Sequence, residues 1–129
     1  MVLADTSVWV DLFNGHQTPN VQKLVDASAG GQLIMMDIIL MEILQGFRSD
    51  ADYTIAKSEL LKFECVSAMN KVLAIKSSEN YRALRKKGVT IRKSIDCIIA
   101  TFCIESRCSL ISNDKDFQPF QQYLALKLL

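Results

Sequence analysis

The sequence lacks the residue clusters that zinc sites and disulfide frameworks need. Its single histidine, His16, lies in a loop with Gly and Pro, and its four cysteines include no Cys-x-x-Cys pair. We therefore expect reduced thiols in a reducing compartment. The histidine also has no placeable serine or cysteine partner, which argues against a histidine-activated side-chain nucleophile.

Long apolar runs and a strong charge bias are also missing. Asp37 and Glu42 interrupt the longest apolar stretch, so no segment reaches the length of a membrane span. The first residues lack a basic segment, and Asp5 interrupts them, so we expect no signal peptide. The formal net charge is only +1, so overall charge identifies no partner. These absences predict a cytoplasmic protein with no membrane association.

The 129 residues are 50% hydrophobic, which is enough for one core. They contain no repeats, low-complexity tracts or linker, so residues 1–129 are predicted to form a single domain. Apolar strands are predicted at Val2–Ala4, Leu33–Met36, Glu64–Ala68, Ser109–Ser112 and Leu124–Leu128. Helical patterns alternate with these strands, and this alternation predicts an α/β domain with a parallel sheet.

The stretch from Ser94 to Phe117 carries acids in two settings. A predicted helix opens with Ser94 as its N-cap, and Asp96 lies in its first turn. Its apolar positions follow helical spacing and predict one buried face: Ile95, Ile98, Ile99, Phe102 and Cys103. Asp96 either complements the positive end of the helix dipole or pairs with something beside the core. Asp114 lies in the turn after the strand that begins at Ser109.

Two further acids occupy similar settings. Asp5 ends the first strand and alternatively caps the next helix, while Glu42 is the only charge in a helix from Ile38 to about Phe47. Carboxyl ends of parallel strands share one sheet edge, where ligands bind in open α/β sheets. Gly46, four residues after Glu42, either leaves room for a substrate or simply ends the helix.

Carboxylates that meet in space repel one another unless a cation is present. Mg²⁺ and Mn²⁺ are hard ions that prefer oxygen ligands and bridge to substrate phosphates. Such a site polarises a phosphodiester and generates hydroxide from bound water, so it needs no side-chain nucleophile. The acids therefore point to metal-dependent phosphodiester chemistry.

The sequence resembles the PIN-domain ribonucleases, and in particular the VapC-like toxins of bacterial and archaeal toxin–antitoxin pairs. The resemblance covers essentially the whole chain. Four blocks in this order carry it: ADTSVWVDLF at Ala4–Phe13, MEILQGFR at Met41–Arg48, TIRKSIDCIIATFCIE at Thr90–Glu105 and LISNDKDF at Leu110–Phe117. It implies a single PIN-like domain whose parallel central sheet is flanked by helices on both faces.

The resemblance also implies the site residues. The catalytic acids that hold the metal would be Asp5, Glu42, Asp96 and Asp114, with Asp116 assisting. Thr6 or Ser7 would be the hydroxyl that holds the first aspartate or a metal-bound water. No acid is missing, so nothing indicates an inactive member.

The function implied by the resemblance is a Mg²⁺-dependent endoribonuclease, with Mn²⁺ able to substitute, that is inhibited by a cognate VapB-like antitoxin. The family also implies a homodimer, and contact with operon DNA only through the antitoxin. The alternative is a catalytically silent PIN-like module that binds RNA or protein. A receiver domain would need paired acids after the first strand and a late lysine, which this chain does not place. A haloacid-dehalogenase-type phosphatase would need an aspartate at the position of Ser7. Both alternatives are therefore disfavoured.

Basic residues near the acids are candidates for contact with RNA phosphates: Arg92, Lys93 and Arg48. Their alternative is a solvated basic surface near a helix end. Trp9, Phe13 and Phe47 are candidates for stacking on bases, but packing in the core or in a partner groove is the favoured interpretation.

Overall fold

The computed structural model describes all residues from 1 to 129. Its strands are β1 (Val2–Ala4), β2 (Leu33–Met36), β3 (Cys65–Val66) and β4 (Ser109–Ile111). Its helices are α1 (Thr6–Phe13), α2 (Pro19–Ala29), α3 (Asp37–Gln45), α4 (Asp50–Leu60), α5 (Lys71–Lys86), α6 (Ser94–Ser106) and α7 (Gln118–Leu124), with a 3₁₀ turn at Lys115–Phe117. None of these helices combines the length and the apolarity needed to cross a membrane.

The four strands form one parallel sheet in the order β3-β2-β1-β4, flanked by the helices, which confirms the predicted fold class. Leu3 in β1 lies opposite Ile34 on one side and Leu110 on the other. The chain moves outward from β1 to β2 and β3 and then returns to β4 on the other side of β1. This reversal opens a crevice beyond the carboxyl ends of β1 and β4, where α/β folds bind their ligands.

Local sequence signals fix several helix boundaries. Thr18 caps α2 by accepting a hydrogen bond from Val21 N at 3.1 Å, and Asn70 caps α5 through Leu73 N at 2.9 Å. Gly31 has a φ of +70°, a backbone conformation that side chains disfavour, and it turns the chain from α2 into β2. The predicted cap at Ser94 is wrong. Lys93 holds the N-cap position of α6, and no side chain caps the helix.

The buried face of α6 differs from the predicted one. Of the five predicted positions, only Ile99 and Cys103 are buried, while Ile95, Ile98 and Phe102 are half-buried. Cys97, Ala100 and Thr101 are buried although they were not predicted to be. The reason is that α6 packs against α5 as well as against β4.

The predicted strand at Leu124–Leu128 is wrong. Leu124 is the last residue of α7, a helix that begins with Pro119 in its first turn. Only Leu128 pairs with the sheet, by one parallel bridge to Leu110. The chain turns between helix and bridge at Ala125, which has a φ of +63°.

Candidate active site

Three carboxylates meet beyond the carboxyl end of β4. The side chains of Asp96, Asp114 and Asp116 each place an oxygen within 4.8 Å of the others. Asp96 is only 7% exposed, and its Oδ2 atom is buried without a hydrogen-bond partner. Asp114 Oδ1 accepts a hydrogen bond from Asp116 N at 2.9 Å, which fixes the turn that carries both acids. The structure thus brings three of the five predicted acids together.

These carboxylates are poorly compensated by protein cations. At 4.8 Å, two such charges repel by about 3 kcal/mol at an effective dielectric constant of about 20. Arg92 lies 3.4 Å from Asp116 Oδ1, but its side chain is 80% exposed, so water screens the ion pair. Burial and the charge of Asp114 raise the pKa of Asp96 from 3.8 to about 6, although Lys93 opposes this rise.

Asp5 lies at the end of β1 and is 6% exposed. Its Oδ1 accepts a hydrogen bond from Ser7 Oγ at 2.6 Å, and its Oδ2 accepts one from Ser112 Oγ at 2.5 Å. Burial raises the pKa of Asp5, while the bonds from Ser112 and Ser7 oppose the rise. Asp5 occupies the N-cap position of α1, but its side chain makes no capping bond. The two serines therefore hold its carboxylate toward the crevice.

Ser112 was not predicted as a site residue. Besides binding Asp5, its Oγ accepts a hydrogen bond from Asp114 N at 2.9 Å. One hydroxyl therefore connects the acids that follow β1 and β4. The only sequence signal was a polar residue at the carboxyl end of an apolar strand, where ligand-binding edges occur.

Glu42 lies apart from the group of three carboxylates. Its Oε1 accepts a hydrogen bond from Thr6 Oγ1 at 2.8 Å. Thr6 and Ser7, two candidates for one predicted role, thus hold different acids. Gly46 caps the C-terminus of α3 and also lines a pocket of about 130 Å³ beside Glu42, so both of its proposed roles fit its position.

Polar contacts fix the loop between β4 and Asp114. Asn113 N donates to Ser7 Oγ at 3.2 Å, and Asn113 Nδ2 donates to Asp11 at 2.9 Å. Asn20 Nδ2 donates to Asn113 Oδ1 at 2.7 Å. The loop is therefore tied to α1 and to α2, and the acids on either side of it have defined positions.

The three basic residues that were candidates for contact with RNA phosphates lie at different places around the site. Arg92 forms an ion pair with Asp116. Lys93 lies at the start of α6, where its charge opposes the rise in the pKa of Asp96. Arg48 is exposed in the segment after α3 and makes no ion pair. Trp9 is 3% exposed and packs against Phe63. It therefore belongs to the core, which confirms the interpretation favoured over stacking on bases.

The donor set fits a divalent cation. Three carboxylates present oxygens within 4.8 Å, one of those residues has an unpartnered buried oxygen, and no histidine or cysteine belongs to the group. Hard divalent ions take all-oxygen sites of this kind. These carboxylates fit a cation because the cations of the protein itself compensate their negative charge poorly.

We expect Ser112→Ala to weaken metal binding by about 10- to 100-fold, because residues that orient metal-binding carboxylates have effects of this size. Loss of the hydroxyl removes one bond to Asp5 and one from Asp114 N. Mn²⁺ titration by calorimetry would measure the change. Ser67→Ala, at an exposed serine, is the matched control. Equal affinities in both variants would contradict a positioning role.

The family model for the PIN domain matches residues 2–121. The chain is 29% identical over 120 residues to VapC ribonuclease Mb1587 from Mycobacterium bovis and to ribonuclease VapC11 from Mycobacterium tuberculosis, covering 91% of this chain and 89% of each relative. It resembles VapBC2 from Rickettsia felis, crystallised with a promoter DNA fragment, with a TM-score of 0.79, 19% identity and coverage of 100% of this chain and 98% of that one. FitAcB from Neisseria gonorrhoeae gives a TM-score of 0.79 at 14% identity, covering 100% and 96%.

Proposed function

The chain belongs to the PIN domain family, and from this premise we propose that it is a Mg²⁺-dependent endoribonuclease, the toxin of a VapBC-like toxin–antitoxin pair. Mn²⁺ substitutes for Mg²⁺ in this proposal. The observation that carries it is the group formed by Asp96, Asp114 and Asp116 at a strand-end crevice, with a buried carboxylate oxygen that no protein donor satisfies. The names of the similar VapC ribonucleases support the same activity.

Asp96, Asp114 and Asp116 would hold the ion, with Asp5 and Glu42 completing the site. When bound, a divalent ion polarises a phosphodiester and lowers the pKa of water. Ser7 and Ser112 keep the Asp5 carboxylate in one orientation, and Thr6 does the same for Glu42. These preformed hydrogen bonds reduce the reorganisation needed when substrate arrives.

Basic residues would bring the RNA backbone to this acidic site. Lys93 begins the turn that carries Asp96, and Arg92 lies against Asp116. Because the Arg92 side chain is 80% exposed, its guanidinium is available to a phosphate as well as to Asp116. Arg48 is a more distant candidate on the α3 side of the site.

The test is cleavage of a cellular RNA pool by the purified chain in Mg²⁺, in Mn²⁺ and in chelator. Metal-dependent cutting supports the nuclease, and the mapped cut sites identify its substrate. A folded, antitoxin-free chain that cuts no RNA with either metal would instead favour the catalytically silent module that binds RNA or protein.

An apolar groove supports the proposal that the chain binds an antitoxin. It has a volume of about 400 Å³ between α1, α2 and α4, and eight of its ten lining residues are hydrophobic, including Phe13, Val25 and Phe63. Val25 is 42% exposed. Grooves of this kind accept the apolar face of a partner segment. The chain would contact operon DNA only through that antitoxin.

We expect the cognate VapB-like antitoxin to weaken Mn²⁺ binding by about 10-fold or more, because a basic side chain placed among the acids competes with the cation. Calorimetric Mn²⁺ titration of the free chain and of the purified complex would measure this. The same affinity in both would count against insertion of a basic residue. We also propose that the free chain is a homodimer, as the family resemblance implies, and light scattering on the free chain would test this.

A further inference from the structure

A groove between α5 and α6 lies outside the acidic site. Its volume is about 410 Å³, within the range of pockets that hold small ligands or parts of larger ones. Helix α5 contributes Ser77, Tyr81, Arg82 and Arg85, and the first turns of α6 contribute Ser94 and Ile98. We call it the α5–α6 groove.

The charge of the α5–α6 groove has one sign. Arg82 and Arg85 are the only charged residues among the ten that line it, and no carboxylate faces them there. Neither arginine forms an ion pair anywhere in the structure. Arg85 lies 5.8 Å from the centre of the Tyr81 ring, which holds its guanidinium beside the groove. Two unpaired guanidinium groups are suited to an oxyanion, which they bind in a bidentate manner.

Two further groups in the groove favour an anion. Ser77 is 7% exposed, and its hydroxyl is buried without a hydrogen-bond partner, which is rare in folded proteins. Ser94 begins α6, a helix of 13 residues whose first N–H groups receive no side-chain cap. Uncapped N–H groups at a helix start attract negative charge. The arginines, the hydroxyl and the helix start therefore converge on one kind of ligand.

The position of the groove relates it to the acidic site. Ser94 lies two residues before Asp96, so ideal helix geometry places the two side chains about 160° apart around the helix axis. The groove and the carboxylates thus lie on opposite sides of the same helical turn, with Lys93 immediately before it. A single strand of RNA bound at the acids would reach the groove by passing over this turn.

We propose that the α5–α6 groove binds a phosphodiester group of the RNA substrate at a nucleotide flanking the bond that is cut. The proposal rests on the ribonuclease function proposed above. Arg82 and Arg85 hold the phosphate, and the neighbouring nucleobase packs on the apolar part of the groove, formed by Met69 and Ile98 with the Tyr81 ring. The groove then contributes to which RNA segments are cut.

Fluorescence anisotropy with a labelled mixed-sequence RNA of about 12 nucleotides measures this binding directly. All proteins carry Asp96→Asn, so that cleavage does not destroy the probe. The test variant is Arg82→Gln/Arg85→Gln. The control, Lys23→Gln/Lys57→Gln, removes the same charge at exposed lysines that form no ion pair. Circular dichroism and melting temperature verify that both variants fold.

We expect the groove variant to bind RNA at least about 10-fold more weakly and the control to change by less than about 2-fold. The slope of log affinity against log salt should fall by about 1.4 for two lost contacts to a single strand. Arg82→Lys/Arg85→Lys should restore the slope but only part of the affinity, because lysine does not bind phosphate in a bidentate manner.

Equal weakening in the groove variant and the control would overturn the proposal, since only general charge would then matter. Direct binding of AMP that depends on Arg82 and Arg85, with RNA affinity unchanged in the groove variant, would assign the groove to a free nucleotide instead. A changed oligomeric state of the groove variant in light scattering would make the groove an interface between copies and overturn the RNA assignment.

Cleavage by the chain with native Asp96 separates the two proposals. If this chain cuts RNA but RNA affinity does not depend on Arg82 and Arg85, the groove assignment fails and the nuclease proposal stands. If it cuts no RNA but binding depends on the arginines, the groove stands as an RNA site and the nuclease proposal fails.

Discussion

Replacing Asp96 by asparagine is expected to reduce metal-dependent RNA cleavage by about 10³-fold or more, because the variant loses one charge of the proposed metal site. The asparagine would keep the shape of the native side chain, so the loss reports charge rather than packing. Asp96 is the most buried of the three clustered acids, and its Oδ2 has no protein partner to lose. Cleavage of a cellular RNA pool in Mg²⁺ and in Mn²⁺ measures the effect.

The matched control is Glu64→Gln, which removes the same charge at an exposed residue just before β3. We expect its cleavage rate to stay within about 2-fold of the native rate, as for surface substitutions away from a site. If Asp96→Asn and the native chain cut equally fast, the cleavage comes from a contaminant or from another site, and the proposed role of Asp96 is wrong.

The sequence predicted all four strands of the sheet, together with a fifth that is absent, because the signals for strands are local. Short apolar runs mark the strands, and Thr18, Pro19, Asn70 and the glycines mark most helix ends. The parallel sheet places residues after β1 and β4 at one edge, so the proximity of Asp5 to Asp114 was predictable before any coordinates. That inference needed only alternation of elements and the direction of parallel strands.

The burial of individual helix faces and the contacts of Ser112 could be known only from the tertiary structure. Ile55 and Leu61 are apolar residues in and next to α4, yet they are 65% and 58% exposed, because α4 buries only Ala56 and Leu60. Apolar residues mark a helical face only when a neighbour covers that face. Ser112 was missed because a serine at a strand end has many possible partners, and its bond to Asp5 spans 107 residues.

The acid cluster also has a cost for stability that a metal should remove. A pKa raised from 3.8 to about 6 means that folding is opposed by up to about 3 kcal/mol once Asp96 is ionised. The folded chain binds more protons than the unfolded chain between these two values. Stability in the absence of metal therefore falls as pH rises through about 4 to 6 and levels off above that. The raised pKa of Asp5 acts in the same direction.

We therefore expect the melting temperature in chelator to be higher at pH 5 than at pH 7.5, by roughly 5 °C. Saturating Mg²⁺ at pH 7.5 should restore the loss, because a cation that binds only the folded chain stabilises it by about 2.7 kcal/mol at 100 times its Kd. Asp96→Asn should melt higher than the native chain in chelator at pH 7.5 and gain less from Mg²⁺, while Glu64→Gln should follow the native chain. Differential scanning calorimetry measures each of these melting temperatures. A native chain that melts higher at pH 7.5 than at pH 5 without metal would show that the buried acids are compensated, and the electrostatic basis of the proposed metal site would then fail.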